Sequence, residues 1–312
     1  MIDILQLVQL RPEVQKELAA RYRLHGKADF DKVAGIVRGC VTNGHSGPPP
    51  EMIDRMPKLE IIASASVGYD GIPVEYARTK GIPVTNTPDV LNDDVADLAI
   101  ALMIMTARRL VASDSYVRAG KWLKGGDYPL AQKASGKRVG ILGMGRIGKE
   151  IGKRAEAMNN TVAYHSRRKV ADVSWQHYPD LVELARNSDF LIIIIPATAE
   201  TSKIVSKAVI EALGPTGILV NVARGAVVDE DALVAALQSG KLGGAGLDVF
   251  VDEPSVPAEL LTMDNVVLTP HVGSATSETR AAMGQLALDN LAAWFAGKPL
   301  LTEVPETRVR LG

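Results

Sequence analysis

Arg138-Val139-Gly140-Ile141-Leu142-Gly143-Met144-Gly145-Arg146-Ile147-Gly148 decides the reading of this chain. The first five residues are mostly apolar and predict a strand over Arg138–Leu142. The rest is G-x-G-x-x-G, running into an amphipathic helical pattern over Ile147–Met158. Strand, glycine turn and helix in that order make a phosphate cradle. Gly143 permits the tight turn, Gly145 lets a pyrophosphate approach the backbone, and Gly148 lets helix and strand pack closely. Arg146 and Ile147 open the helix, whose N-terminus turns unpaired N–H groups and the positive end of its dipole toward phosphate. The stretch also reads G-x-x-x-x-G-K from Gly143 to Lys149. Glu150 stands where an ATPase loop needs a hydroxyl for Mg²⁺, so that reading fails.

Outward from this stretch, short apolar runs alternate with helical patterns. Strands are expected at Ile4–Val8, Ile61–Ser64, Pro83–Thr85, Thr161–Tyr164, Phe190–Ile195, Gly217–Asn221, Ala245–Val249 and Val266–Leu268, and helices at Leu181–Arg186 and Glu230–Gln238. Runs as continuous as Phe190–Ile195 fit strands buried on both faces. Strand then helix, repeated, predicts an α/β protein with parallel sheets. From Val95 to Ala119 the chain is rich in Ala, Leu, Met and Ile, and is read as one buried interdomain helix.

The next strand indicates which dinucleotide is held. In an NAD site a carboxylate at its end accepts hydrogen bonds from the ribose 2′-hydroxyl. Here the chain reads Tyr164-His165-Ser166-Arg167-Arg168-Lys169, with no carboxylate before Asp172. A hydroxyl and guanidinium forks bind a 2′-phosphate that a carboxylate would repel. Ser166, Arg167 and Arg168 therefore point to NADP(H), with NAD as the weaker alternative.

Composition narrows the function classes. The 312 residues suggest two domains, and 35 Lys+Arg against 36 Asp+Glu argue against a nucleic-acid surface. With 46% hydrophobic and 23% charged residues, the composition is that of a globular protein. Cys40 is the only cysteine, which excludes an internal disulfide and a Cys-based zinc site, and no metal is expected. A cytoplasmic location is expected, since the N-terminus has no signal-peptide pattern and no apolar run is long enough to span a bilayer.

Three later segments place polar residues after expected strands, where parallel sheets put ligands. They are Asn221-Val222-Ala223-Arg224-Gly225, Gly246-Leu247-Asp248-Val249-Phe250-Val251-Asp252-Glu253-Pro254 and Thr269-Pro270-His271-Val272-Gly273-Ser274. With Gly143–Gly148 and an early Ser66-Val67-Gly68-Tyr69-Asp70 loop, the chain resembles the D-isomer-specific 2-hydroxy-acid dehydrogenases over nearly its whole length. The basic turn and Gly273–Arg280 look most like the NADPH-dependent glyoxylate/hydroxypyruvate reductases.

The resemblance implies roles. His271 would be the general acid that protonates the keto oxygen, Glu253 would hold its imidazole and favour the protonated form, and Arg224 would bind the substrate carboxylate and polarise the carbonyl. Asp248, Val222, Thr201 and Gly273 would serve the cofactor. Val67 and Gly68 would present backbone N–H groups to the substrate, and Tyr128 would lie against the substrate of a neighbouring subunit. The implied fold is a Rossmann cofactor domain, residues 94–277, inserted into a smaller flavodoxin-like substrate domain, residues 1–93 and 278–312, with a C-terminal helix from Ser277 to Ala296. The two crossings would form a hinge. The implied activity is hydride transfer from NADPH to a small 2-keto acid, in a homodimer, with neither nucleic acid nor membrane as partner. Two other readings stay open: a reductase of bulkier aryl pyruvates, and a dinucleotide-sensing binding protein on the same fold.

Overall fold

A computed structural model describes residues 1–308. In chain order the elements are β1 (Asp3–Gln6), α1 (Pro12–Arg21), β2 (Arg23–Gly26), α2 (Phe30–Val33), β3 (Gly39–Thr42), α3 (Pro50–Asp54), β4 (Ile61–Ser64), α4 (Val74–Thr79), β5 (Val84–Thr85), α5 (Asn92–Ala107), α6 (Leu110–Arg118), α7 (Lys121–Gly125), β6 (Arg138–Leu142), α8 (Arg146–Ala157), β7 (Thr161–His165), β8 (Gln176–His177), α9 (Leu181–Arg186), β9 (Phe190–Ile193), α10 (Lys207–Leu213), β10 (Ile218–Asn221), α11 (Glu230–Gln238), β11 (Gly244–Leu247), β12 (Val266–Leu268) and α12 (Ser277–Phe295). They fall into two units. One comprises Met1–Leu91 and the chain from Ser274 onward, the other Asn92–Gly273.

In the first unit five parallel strands lie in the order β2-β1-β3-β4-β5. Successive residues of a strand face opposite sides, so each strand feeds two cores. Ile4, Val41, Ile61 and Ala63 pack with Val14 and Leu18 of α1 and with Leu288 and Leu291 of α12. Leu5, Cys40, Ile62 and Val84 pack on the opposite side with Phe30, Ile53 and Ala77. Leu288 and Leu291 are fully buried, worth about 1.5–3 kcal/mol each. The Thr276 hydroxyl starts α12 by accepting from Thr279 N–H.

The second unit is a seven-stranded parallel sheet in the order β12-β11-β10-β9-β6-β7-β8. From β6 the chain runs outward through β7 and β8, then returns to lay down β9 to β12 on the other side. That reversal beside β6 is where doubly wound sheets open a crevice for ligand at the strands' carboxyl ends. Asp180 and Asp229 cap α9 and α11, accepting from Glu183 N–H and Ala232 N–H. Helix α5 buries Val95, Ala99, Leu102 and Met103 and packs on α8, β10 and β11.

Three expectations need correction. The helix read as Val95 to Ala119 breaks at Arg109, which takes a left-handed conformation with φ 50°. Its apolar part, α5, is held within the second unit, whereas α6 buries no residue and is free to leave that line. Strands β2, β3 and β8 were not expected: β2 and β8 are short edges without an apolar run, and Gly39 and Cys40 dilute the pattern of β3. The run Phe190–Ile195 is strand only to Ile193.

Candidate active site

The glycine loop assigns a separate task to each glycine. Gly143 has φ 105°, and a Cβ there would stand 2.3 Å from Ile194 O, so both conformation and space require glycine. A Cβ on Gly148 would stand 2.1 Å from Gly143 O, which keeps α8 tight against the turn. Around Gly145 there is nothing within 4 Å of a Cβ position, and this residue is the N-cap of α8. Open space at the N-terminus of a three-turn helix fits a pyrophosphate. Arg146 is exposed, and Ile147 is half-buried.

The basic turn leaves β7 at His165. Arg167, Arg168 and Lys169 are exposed and, among the described residues, form no ion pair with an acidic side chain. The first carboxylate downstream, Asp172, is engaged by Lys149 of α8 and held below the usual carboxylate range by that contact. Ser166 Oγ donates to Arg168 O at 2.6 Å. Edge strand β8 supports the turn, since His177 Nε2 donates to Ser166 O at 3.0 Å. Its two-residue length explains why sequence reading missed that support.

The three later segments follow β10, β11 and β12, which are adjacent in the sheet. Asn221, 1% exposed, closes the first turn: its Nδ2 donates to Arg224 O at 2.9 Å and its Oδ1 accepts from Ala223 N–H at 3.0 Å. Arg224 is half-buried and its Nη1 donates to Ala223 O at 2.7 Å. A Cβ on Gly225 would lie 2.0 Å from the Phe250 carbonyl carbon, so this turn sits directly on the backbone that leads to Glu253. Glu253 accepts from Phe250 N–H at 3.1 Å through Oε1, and from His271 Nδ1 at 2.8 Å through Oε2. One carboxylate oxygen is thus anchored to backbone while the other orients the imidazole, a geometry suited to proton transfer.

His271 has φ 53°, a left-handed conformation that costs a non-glycine residue about 1–2 kcal/mol. Asp248, 1% exposed, secures the loop around it. Its Oδ1 accepts from Thr269 Oγ1 at 2.7 Å and Val272 N–H at 2.8 Å, and its Oδ2 from Gly273 N–H at 2.9 Å. Its backbone carbonyl accepts from His271 N–H at 2.9 Å. Burial raises the Asp248 carboxyl above its ordinary range despite these donors. Sequence reading gave Asp248 and Gly273 to the cofactor; the structure shows in addition that they tie down the loop that carries His271. Asn221 and Thr269 were missed as supports; polar side chains buried at strand ends were the only available signal.

Of the remaining expected residues, Val222 follows β10, buried, with no donor to its carbonyl among the described residues. Thr201 lies in the loop after β9, where its hydroxyl donates to Pro196 O at 2.8 Å and accepts from Thr198 N–H at 2.8 Å. Tyr128 stands edge-on to Tyr116 with ring centres 5.4 Å apart, in a concavity with Arg108, Leu110 and Ser113. Val67 and Gly68 belong to the first unit, half-buried in the loop after β4. Among the described residues no group of His, Cys, Asp and Glu could hold a metal, and no helix is long and apolar enough to cross a membrane.

Comparison with known proteins supplies the lineage. The NAD-binding domain of D-isomer specific 2-hydroxyacid dehydrogenases matches residues 100–273. Hydroxyphenylpyruvate reductase of Plectranthus scutellarioides is 49% identical over 310 residues, covering 97% of this chain and 99% of that protein. A glyoxylate/hydroxypyruvate reductase of Arabidopsis thaliana is 47% identical over the same share of both chains. The solved structure of an NADPH-dependent glyoxylate/hydroxypyruvate reductase from Sinorhizobium meliloti, in complex with NADP and malonate, superposes with TM-score 0.93 at 44% identity, covering 100% of this chain and 99% of that one. Cradle, basic turn, buried supports and His–Glu pair thus occur in a chain that belongs to the D-isomer specific 2-hydroxyacid dehydrogenase family, an oxidoreductase lineage built on two Rossmann-type domains.

Proposed function

We propose that this protein is an NADPH-dependent reductase that converts a small 2-keto acid, glyoxylate or hydroxypyruvate, into the D-2-hydroxy acid. The observation that carries the reading is the His271 Nδ1–Glu253 hydrogen bond of 2.8 Å, with the far carboxylate oxygen fixed to backbone. With Nδ1 committed to Glu253, Nε2 is the nitrogen that gives a proton to the keto oxygen and recovers it in the reverse reaction. Arg224 binds the substrate carboxylate and draws charge from the carbonyl. Val67 and Gly68 offer backbone N–H groups to substrate. When bound, the nicotinamide supplies the hydride. Gly143, Gly145 and Gly148, with Arg146 and Ile147, hold the pyrophosphate, and Thr201 borders it. The Val222 carbonyl and the Asp248 carboxylate receive the nicotinamide carboxamide, and Gly273 borders the same part of the cofactor.

NADPH is favoured over NADH because Arg167 and Arg168 are exposed and have no carboxylate partner among the described residues, with Ser166 beside them. We also assign residues 94–277 to cofactor and residues 1–93 and 278–312 to substrate. A homodimer fits Trp122, Leu123 and Leu130, which are 65%, 94% and 99% exposed beside Tyr128. The lone buried Cys40, its thiol pushed up to about 12 by burial, suits a reducing cytoplasm.

A second reading is favoured by one finding: a relative of 49% identity is named for hydroxyphenylpyruvate. Steady-state turnover of NADPH and NADH with glyoxylate, hydroxypyruvate and hydroxyphenylpyruvate decides among these readings. The proposal expects the highest kcat/KM with NADPH and a small keto acid. A preference for the aryl substrate overturns the substrate class, and NADPH binding without turnover of any 2-keto acid overturns the enzyme in favour of a dinucleotide sensor.

A further inference from the structure

The basic turn after β7 is pinned by three side chains. His177 of β8 stands opposite Tyr164 of β7 in the parallel register, and its Nε2 donates to Ser166 O at 3.0 Å. The Ser166 hydroxyl donates to Arg168 O at 2.6 Å. Tyr164 is fully buried, and its hydroxyl accepts from Val170 N–H at 2.9 Å. In a trans peptide the C=O and the following N–H point in opposite directions, so a pinned carbonyl fixes the direction of the next amide. With Ser166 O and Arg168 O engaged, the amides of Arg167 and Lys169 face away from those partners, and neither donates to an acceptor among the described residues. Two such N–H groups on a turn that carries the exposed Arg167 and Arg168 side chains suit a phosphate dianion.

The chain on either side of the turn is fastened by other contacts. Before it, His165 O accepts from Gly143 N–H at 2.9 Å, and His165 Nδ1 donates to Tyr178 O at 2.9 Å. After it, Asp172 is engaged by Lys149 of α8, and the Trp175 ring lies on Gly152 of the same helix, where a Cβ would stand 2.2 Å from a ring carbon. Trp175 Nε1 also donates to Glu156 Oε1 at 3.4 Å. The path of the loop therefore does not hang on His177 Nε2. What hangs on it is the direction of the peptide that joins Ser166 to Arg167. Every one of these residues lies within the second unit.

We propose that His177 is a positioning residue for cofactor choice: by holding the Ser166 carbonyl it keeps the Arg167 amide and the two guanidinium side chains in the direction that receives the 2′-phosphate of NADPH, while Tyr164 fixes the far end of the turn at Val170. This rests on the NADPH reading given above. His177 itself meets neither the phosphate nor the reacting atoms; it acts through Ser166 O.

The test uses the full chain with three substitutions. His177→Phe keeps a ring beside Tyr164, whose own ring centre lies 5.1 Å from that of His177, but has no donor. His177→Gln offers a side-chain N–H in place of Nε2–H, and Tyr164→Phe removes the acceptor for Val170. For each, Kd is measured by calorimetry for NADPH, NADH and adenosine 2′,5′-bisphosphate, a probe that carries the 2′-phosphate without the nicotinamide, together with Tm. His177→Phe should weaken NADPH and the bisphosphate by about fivefold, the loss expected for one hydrogen bond, with NADH within about twofold. Tyr164→Phe should shift the same two ligands by about threefold, and His177→Gln should stay within about twofold of wild type for all three. An NADPH-to-NADH Kd ratio unchanged in His177→Phe overturns the proposal, whether both constants hold or both rise together, because an equal loss or a fall in Tm alone marks a merely structural role. A His177→Gln protein as weak for NADPH as His177→Phe also overturns it, since the ring and not the donor would then matter. If His177→Phe does not fold, His177→Ala against His177→Gln decides by the same ratio. A wild type that binds NADH as tightly as NADPH refutes the NADPH reading and the proposal with it, whereas a wild-type preference that His177→Phe leaves intact overturns the proposal alone.

Discussion

Replacing Asp248 by Ala tests whether the backbone of His271, the proposed general acid, is held from beneath. The carboxylate takes three donors, Thr269 Oγ1, Val272 N–H and Gly273 N–H, at 2.7–2.9 Å. The Thr269 hydroxyl is half-buried and can turn to water, but the Val272 and Gly273 amides would be left without acceptors in a half-buried loop whose Gly273 is buried. Each orphaned amide costs about 1–3 kcal/mol. Part of this is returned, because burial raises the Asp248 carboxyl and so disfavours its charged form. The net loss is about 2–4 kcal/mol, or about 5–15 °C in Tm for a unit of this size. Catalysis should suffer further, since the His271 backbone sits at φ 53° only while its neighbours are tied down. Relaxation toward ordinary dihedrals displaces the imidazole, and a shift near 1 Å costs about 100-fold in kcat. Asp248→Asn should lose about half as much stability: it keeps an acceptor for Val272 but sets an amide N–H₂ against Gly273 N–H. Thermal melts and keto-acid kinetics on the three proteins suffice. A Tm within about 1 °C of wild type together with unchanged kcat in Asp248→Ala would refute the reasoning.

Three further outcomes are expected. His271→Ala should lower kcat for keto-acid reduction by about 10²–10⁴ while the NADPH Kd stays within about twofold; surviving turnover would mean that another group gives the proton. Arg167→Ala with Arg168→Ala should weaken NADPH by about 10–100-fold and NADH by less than about threefold, measured as Kd by fluorescence, and an equal loss for both would remove the 2′-phosphate role. Asp189 is held below the ordinary carboxylate range by the Arg138 guanidinium, with Nη2 at 2.8 Å from Oδ1. A lowered folded pKa contributes stability that is present above the unfolded value, near pH 4, and is lost as pH falls through the folded value. Asp189→Asn should therefore cost about 1 kcal/mol at pH 6, discounted because Arg138 is half-exposed, and the Tm difference from wild type should close in acid. A difference that stays constant from pH 6 to about pH 2 would contradict that account.

The parts of the molecule legible in the sequence are those where one local rule determines the outcome. Gly143, Gly145 and Gly148 announce themselves because strand, turn and helix are contiguous, and continuous apolar runs mark β6, β9 and β10 as doubly buried. The same logic explains what stayed hidden. Strand β8 has two residues and β2 lies at an edge, so neither carries an apolar pattern, yet β8 supplies the histidine that steadies the basic turn. The break at Arg109 went unread because Leu110, Val111 and Val117 keep enough apolar character to extend a helical pattern, whereas burial stops. Asp248 is the sharpest case. An aspartate at a strand end reads equally as ligand or as support, and only the three donors on its carboxylate reveal the supporting role.

The three segments proposed to carry the chemistry are far apart in the chain, and sheet order is what unites them. Arg224, Glu253 and His271 follow β10, β11 and β12, strands that are successive neighbours with in-register parallel pairing. Parallel strands all end at the same edge, so three consecutive strands deliver three loops side by side. Adjacency alone leaves those loops a few ångströms of freedom, too much for proton transfer. Two backbone-level contacts remove it. Gly225 sets the Arg224 turn against the Phe250 carbonyl, whose residue N–H fixes Glu253, and the Asp248 carboxylate ties the loop that holds His271. A side chain larger than hydrogen at residue 225 would push the Arg224 and Glu253 loops apart and so displace Arg224 and Glu253 without altering either side chain chemically. The site is therefore defined as much by Gly225 and Asp248 as by the residues that would meet the substrate.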